Sequence, residues 1–146
     1  LLNDEELKAV LGHEISHLWW SMAPSISWED WLNEAFAEHS GLMVVRERFG
    51  IEVYNKMLQK KREKIKGLPP IKGIDRGNDK AHNVLYDKGC VLLSELELDM
   101  GKVKYLTLLK QLIKYKVDST EKFKEVLKEI AGDKITEDFI YKLNNR

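Results

Sequence analysis

DEELKAVLGHEISHLWW, residues 4–20, is the most informative segment of the chain. Its apolar residues recur every three or four positions, which predicts an α-helix from Asp4 to about Trp20. Asn3 or Asp4 can cap the first turn of this helix. At ~100° per residue, four apolar side chains fall on one stripe that we expect to face the core. They are Leu7, Leu11, Ile15 and Leu18.

Helical patterns continue along the rest of the chain, and no alternating stretch is long enough to predict a β-strand. Glycines at the ends of several patterns mark helix boundaries. We therefore expect an all-α protein of roughly six or seven helices, with residues 68–83 as the one long irregular stretch. The later helices are expected at about residues 28–49, 51–66, 84–100, 102–116, 120–131 and 136–144.

The composition is typical of a folded globular domain, with 43% hydrophobic and 33% charged residues. The 24 Lys and Arg residues balance the 24 Asp and Glu residues, so the net charge gives no support for a nucleic-acid partner. No apolar run approaches the ~20 residues that a membrane-spanning helix needs. We expect residues 1–146 to form a single helical domain, cut from a longer chain because a helix begins almost directly after Leu1.

The single cysteine, Cys90, cannot form a disulfide within the chain. This favours a reducing compartment such as the cytoplasm. A targeting signal would precede Leu1, however, so the sequence leaves the localisation open. Cys90 lies on the apolar side of its predicted helix, and we expect it to be buried.

His13-Glu14-Ile15-Ser16-His17 is an HExxH motif within the first predicted helix. Residues four apart lie on the same face of a helix, so the two imidazoles can bind one metal ion. Glu14 lies beside them, within reach of a water molecule at that ion. The motif also arises by chance, in which case the histidines have only a structural role, so it needs support from elsewhere in the chain.

Three further residues support a zinc site. Glu34, on the next predicted helix, can supply the third protein ligand that a catalytic zinc site requires. Glu38 follows one turn later and can accept a hydrogen bond from a metal-bound histidine, which we expect to be His13. The alternative for Glu38 is an exposed surface charge. Tyr86, in the tetrapeptide Tyr86-Asp87-Lys88-Gly89, offers a phenol that can stabilise an oxyanion.

These motifs together resemble the gluzincin metallopeptidases, the clan of thermolysin and the aminopeptidase N family. The aminopeptidase N family shows HExxH, a tryptophan-rich connection, then W-L-N-E-G-F-A and later Y-x-K-G. This chain has Trp19 and Trp20 after its motif, Trp-Leu-Asn-Glu-Ala-Phe-Ala at residues 31–37, and the tetrapeptide at residues 86–89. The resemblance covers nearly the whole chain and implies the helical part of a thermolysin-like catalytic domain.

The chain departs from the aminopeptidase N pattern in several ways. The connection between His17 and Glu34 is shorter, Ala35 replaces the usual glycine, and Glu38 is closer to the thermolysin arrangement. The family's G-x-M-E-N loop, which holds the free amino group of the substrate, lies upstream of HExxH and outside these residues. So does its sheet lobe, which the resemblance implies as a partner from the same parent protein.

The resemblance implies zinc-dependent hydrolysis of peptide bonds, with removal of N-terminal residues from a peptide substrate. One zinc ion per chain is expected, with His13, His17 and Glu34 as its ligands. Glu14 is then the general base that acts on a zinc-activated water, and Tyr86 the oxyanion donor. A thermolysin-like endopeptidase and a non-catalytic helical binding module that retains the motif are the alternatives. The intact Glu14 argues against the binding module, which has no need of a base.

Several other residues lie near these motifs, and we expect them to be structural. His39 is expected to be structural or exposed, and His82 to be structural, with a place in the cleft as its alternative. The charge run at residues 60–66 is expected to be a solvated helix face. The tryptophans are expected in the core: Trp19, Trp20, Trp28 and Trp31.

Overall fold

The computed structural model describes all of residues 1–146 and contains seven α-helices and no strand, which confirms the predicted all-α architecture. A 3₁₀ turn, Trp28–Asp30, leads into the second helix, and a π-helical segment, Asn83–Lys88, leads into the fourth. None of the helices is both long and apolar enough to cross a membrane. The helices are α1 (Asp4–Ser16), α2 (Trp31–Phe49), α3 (Ile51–Lys64), α4 (Gly89–Met100), α5 (Lys102–Lys114), α6 (Thr120–Ala131) and α7 (Asp133–Asn145).

The first helix begins at a capping box. The side chain of Asn3 accepts a hydrogen bond from the backbone N–H of Glu6 at 2.8 Å, and the carboxylate of Glu6 accepts one from the backbone N–H of Asn3 at 3.1 Å. α1 ends at Ser16, short of the predicted end at Trp20. Residues 17–20 form a turn instead, which directs the chain towards α2.

Four aromatic rings pack together between α2 and the last two helices. Trp31 and Phe36 of α2 lie against Phe123 of α6, and Trp31 also lies against Phe139 of α7. All four rings are nearly completely buried. Burial of such a side chain contributes about 1.5–3 kcal/mol relative to its exposure. This cluster therefore holds the helix that carries Glu34 in a fixed place in the core.

Two glycines allow α1 and α2 to lie very close together. A Cβ on Gly41 would clash with the carbonyl oxygen of Ala9, and a Cβ on Gly12 would lie 3.0 Å from the Cα of Gly41. Larger residues here would push the helices apart. The close approach brings His13, near the end of α1, and His17, directly after it, against the first turns of α2.

The apolar stripe of α1 lies on the surface, and the prediction that it faces the core was wrong. Its exposed fraction ranges from 43% to 76%, and the neighbouring Trp19 is exposed as well. α1 packs on α2 through a different arc, which includes Gly12 and His13. Periodicity reveals an apolar helix face but not which neighbour covers it. The stripe consists of Leu7, Leu11, Ile15 and Leu18.

Candidate metal centre

His13 in α1 and His17, the first residue after α1, turn their Nε2 atoms towards each other. Nδ1 of His17 lies 2.9 Å from the carbonyl oxygen of Trp20, and Nδ1 of His13 lies 2.7 Å from Oε2 of Glu38. Carbonyl and carboxylate oxygens only accept, so both Nδ1 atoms donate. The two Nε2 atoms face each other at 3.1 Å. In neutral rings this places two lone pairs at one point, which is a natural position for a cation.

Glu34 completes a group of three donor atoms. Its Oε2 lies 3.5 Å from Nε2 of His13 and 3.4 Å from Nε2 of His17. This oxygen is buried and has no hydrogen-bond partner, which is costly for a carboxylate. Around a tetrahedral zinc ion with bonds of ~2.0–2.1 Å, ligand atoms lie ~3.3–3.4 Å apart. The three side chains therefore fit a zinc ion.

Two carboxylates dominate the electrostatics of the group. Burial acts to lower the pKa of His13, but Glu34 and Glu38 outweigh it and raise that pKa to about 9. Burial acts to raise the pKa of Glu38, but His13 and Lys61 outweigh it and lower that pKa to about 2. The pKa of Glu34 is also lowered, because its contacts with His13 and His17 outweigh burial. Both carboxylates are therefore ionised at neutral pH and favour a positive charge at the group, which is a proton on His13 or a metal ion that replaces it.

Glu38 also contacts a lysine that we expected to be in solvent. Nζ of Lys61, on α3, contacts Oε1 of Glu38 and donates to Oδ1 of Asp87 at 2.7 Å. The Lys61 side chain is only 11% exposed, so the expectation of a solvated face at residues 60–66 was wrong at this position. The sequence pattern of α3 could not predict this contact, because both partners of the lysine belong to other elements.

Tyr86 lies in the π-helical segment, a local irregularity of the kind often found at functional sites. Its ring stacks with His13 at a centroid distance of 5.8 Å and with the exposed His82 at 4.1 Å. His82 thus lines the site, which was the alternative to the structural role expected for it. Burial and the negative charge of Glu34 raise the pKa of Tyr86 to about 12. The hydroxyl is therefore protonated at neutral pH and can donate a hydrogen bond.

Lys88 and Gly89 hold the π-helical segment in place. Nζ of Lys88 donates to the carbonyl oxygens of Leu68 and Pro69, both at 2.8 Å. A Cβ on Gly89 would clash with the Cβ of Ala35 on α2, so only glycine permits this approach. The tetrapeptide therefore owes its pattern to contacts that fix the position of its tyrosine beside the histidines.

Glu14 is exposed on α1 and lines a cavity of about 410 Å³. His13 and Tyr86 line the same cavity. A carboxylate, an imidazole and a phenol thus surround one space that is open to water. The structure brings together five of the side chains that the sequence suggested for the site, and it places Glu14 on the cavity that three of them line. The five are His13, His17, Glu34, Glu38 and Tyr86.

Comparison with known proteins gives matches among solved structures; no protein-family model and no curated protein matches the chain. An M1 zinc metallopeptidase from Deinococcus radiodurans, in a mutant form bound to a Tyr-Ser-Ala substrate, matches 95% of the chain with a TM-score of 0.79 and 21% identity. A two-domain M1 zinc metallopeptidase mutant bound to L-tryptophan matches 95% with a TM-score of 0.82 and 20% identity. The Deinococcus radiodurans enzyme without a named mutation matches 94%, with a TM-score of 0.78 and 21% identity.

The chain spans about a third of these structures, 33% of each. At this level of identity the likeness establishes the fold. The chain has the helical fold found in one part of the M1 zinc metallopeptidases. The resemblance to the aminopeptidase N family, drawn from the sequence motifs, is thereby confirmed for the fold.

Proposed function

We propose that this chain is the zinc-binding and catalytic part of a metallopeptidase, with one zinc ion held by His13, His17 and Glu34. The observation that carries the proposal is the convergence of three donor atoms at the spacing of a tetrahedral zinc site, 3.1–3.5 Å. One of these atoms is a buried carboxylate oxygen without a partner. A purely structural histidine pair has no need of such an oxygen.

The remaining residues of the site have separate roles in hydrolysis. A zinc ion supplies a Lewis acid that polarises the scissile carbonyl and acidifies water. Glu14 takes a proton from the attacking water and passes it to the leaving amine. Tyr86 donates a hydrogen bond to the carbonyl oxygen as it gains negative charge. Glu38 holds Nδ1 of His13 and so directs its Nε2 towards the ion.

The reaction we propose is removal of N-terminal residues from peptides. The similar structures support this choice, since one holds a tripeptide substrate and others hold single amino acids, L-tryptophan and L-arginine. An enzyme that releases amino acids from the end of a short peptide binds both kinds of molecule. Residues 1–146 do not include the loop that binds the free amino group in the resembled family.

We further propose that residues 1–146 are one domain whose exposed α1 stripe is covered by a sheet lobe of the same parent protein. The stripe supports this, because four neighbouring apolar side chains on one face are a typical sign of an interaction surface. That lobe would form the second wall of the cleft. Hydrolysis needs a cleft that positions the substrate and excludes water, so activity is expected of the parent protein.

The proposal is tested by peptide hydrolysis with the parent protein and its Glu14→Gln variant. The wild type is expected to cleave a peptide with a free amino terminus and to leave its N-acetylated counterpart intact. Glu14→Gln should keep its zinc and lose the hydrolysis, because the amide cannot accept the proton of water. Glu5→Gln, at the other end of α1, is the matched control and should keep full activity.

Each alternative predicts a different result. Equal cleavage of free and acetylated peptides would contradict the aminopeptidase and support the endopeptidase. Zinc binding with no cleavage of either peptide would support the binding module. Hydrolysis that survives Glu14→Gln unchanged would exclude Glu14 as the base.

A further inference from the structure

Four elements of the fold meet through the ammonium group of Lys61. This group lies between the carboxylates of Glu38 on α2 and Asp87 in the π-helical segment. The other oxygen of Glu38, Oε2, lies 2.7 Å from Nδ1 of His13 on α1. A continuous series of charged contacts therefore runs from Asp87 through Lys61 and Glu38 to the imidazole.

The burial of this lysine distinguishes it from its neighbours on α3. The Lys61 side chain is 11% exposed and that of Asp87 7%, whereas Lys60, the preceding residue, is 60% exposed. Buried ammonium groups are rare unless carboxylates pair with them. Both partners of Lys61 adjoin the candidate site, since Glu38 contacts His13 and Asp87 follows Tyr86 in the chain.

The contact with Lys61 restricts how Glu38 can point. The Glu38 side chain is 25% exposed, so its carboxylate can turn towards water if nothing holds it. Lys61 occupies Oε1, which leaves Oε2 on Nδ1 of His13. A carboxylate held on Nδ1 fixes the tautomer and the ring orientation of a metal-binding histidine.

We propose that Lys61 is a positioning residue of the metal site, which holds Glu38 on His13 and so presents Nε2 of His13 to the zinc ion. The proposal rests on the proposed function, in which His13 is a ligand. Asp87 has a supporting role, because it balances the charge of the lysine in a buried position. Lys61 itself touches neither the ion nor the substrate.

The test measures zinc affinity by competition with a chelator in the wild type and in Lys61→Met combined with Asp87→Asn. This pair of changes removes one positive and one negative charge, so the net charge near the ion is unchanged and Asp87 is not left as an unpaired buried carboxylate. We expect a 10–100-fold loss of affinity, the usual effect of losing support for a metal-binding histidine. Asp87→Asn alone keeps the contact between Lys61 and Glu38, and Lys60→Met alters an exposed lysine. Lys60→Met should bind zinc with the wild-type affinity, and the loss caused by Lys61→Met is measured between the double variant and Asp87→Asn.

Two further measurements separate positioning from a general effect on folding. The thermal unfolding of the zinc-free double variant should match that of zinc-free Asp87→Asn. Lys61→Arg, which keeps a cation between the carboxylates, should recover most of the lost affinity. Wild-type affinity in the folded double variant, or an equal loss in Lys60→Met, would overturn the proposal and leave the proposed function intact. A wild type that binds no zinc would overturn both.

Discussion

At the scale of single residues, Tyr86 lies beside His13 and its hydroxyl is protonated at neutral pH. Its ring stacks with the imidazole, and its pKa of about 12 leaves the phenol protonated across the neutral range. A neutral donor near a site of positive charge suits an oxyanion. These properties support the role proposed for the phenol as an oxyanion donor.

Tyr86→Phe is expected to lower kcat of the parent protein about 10²–10³-fold, the usual cost of a lost oxyanion donor. Zinc content should stay at the wild-type level, because the hydroxyl is not a ligand. Steady-state kinetics and metal analysis on the same preparation measure both quantities. Tyr141→Phe, on the exposed part of α7, is the control and should change neither. A variant that loses its zinc would contradict this division of roles.

His39 is buried and is not part of the metal group, which agrees with the expectation of a structural role. Its exposed fraction is 1%, and its Nδ1 lies 2.8 Å from the hydroxyl of Tyr105. Glu97 lies 3.6 Å from its Nε2, and Arg46 in turn pairs with Glu97. Burial lowers the pKa of His39 from 6.5 to about 4, with Glu97 acting in the opposite direction. The folded protein therefore keeps this ring neutral where the unfolded chain protonates it.

We expect His39 to make the protein less stable as the pH falls from about 6.5 to about 4. In that range only the unfolded chain binds the proton, which lowers the free energy of unfolding by about 1.4 kcal/mol per pH unit. Above pH 6.5 the ring is neutral in both states and the effect vanishes. Urea unfolding at pH 7 and pH 5 should show a smaller pH effect in His39→Gln than in the wild type. Equal pH effects would mean that His39 is protonated in the folded protein.

Some residues of the candidate site could be predicted from the sequence and others could not. His13 and His17 share a helix face by spacing alone, and Glu34 is identified by a motif on the following helix, so these could be predicted. Lys61 could not, because lysine on a helix is usually solvated and its two carboxylate partners lie far away in the sequence. Tertiary contacts of this kind leave no periodic signal.

At the scale of elements, the separation of α1 and α2 sets the geometry of the site. His13 lies in α1 and His17 directly after it, whereas Glu34 lies in α2, so the three donor atoms meet only while these helices stay close. Gly41 makes this possible, since its missing side chain leaves room for the backbone of α1 at Ala9. The glycine pair thus belongs to the site although it touches no ligand atom.

Gly41→Ala is expected to destabilise the protein by about 1–3 kcal/mol, the usual cost of overpacking. It should also weaken zinc binding, because the added methyl group pushes α1 away from Glu34. Urea unfolding of the zinc-free protein and zinc titration measure the two effects. Gly77→Ala is the control, since a Cβ there meets only an ordinary contact at 3.4 Å. Normal zinc affinity in Gly41→Ala would show that the helices tolerate the separation.

Three helix ends could be predicted from a glycine, whereas α3 ends at Lys64, before the predicted residue 66, and α7 begins at Asp133, before the predicted residue 136. α2, α4 and α6 end at Gly50, Gly101 and Gly132, all of which adopt positive φ angles that suit glycine. The end of α1 was predicted too late, because no glycine or proline marks it. The contact of His17 with the carbonyl oxygen of Trp20 stabilises a turn there instead of another helical turn.

At the scale of the whole molecule, the exposed stripe of α1 is the feature that the sequence misassigned. The pattern predicted an apolar face correctly but placed it in the core of these residues. The chain matches about a third of each similar structure, so most of each of those proteins lies outside the matched part. Our proposal that the parent protein covers the stripe would account for the apolar pattern.

Ile15→Gln tests this interpretation, because Ile15 is 56% exposed in residues 1–146. In this chain alone the free energy of unfolding should change by less than about 0.5 kcal/mol, as for other surface positions. In the parent protein the same change should lower the melting temperature. Leu42→Gln, at a buried position on α2, is the control and should destabilise both. Equal destabilisation by the two variants in the chain alone would show that residues 1–146 cover the stripe themselves.

The zinc content of the protein after reconstitution and removal of free metal tests the metal site directly. We expect about one zinc ion per chain, since the three donor atoms form a single site. His17→Ala removes one of these donors and should lose the ion under the same conditions. A wild type that retains no zinc, or a His17→Ala variant that retains as much as the wild type, would contradict the metal site proposed here.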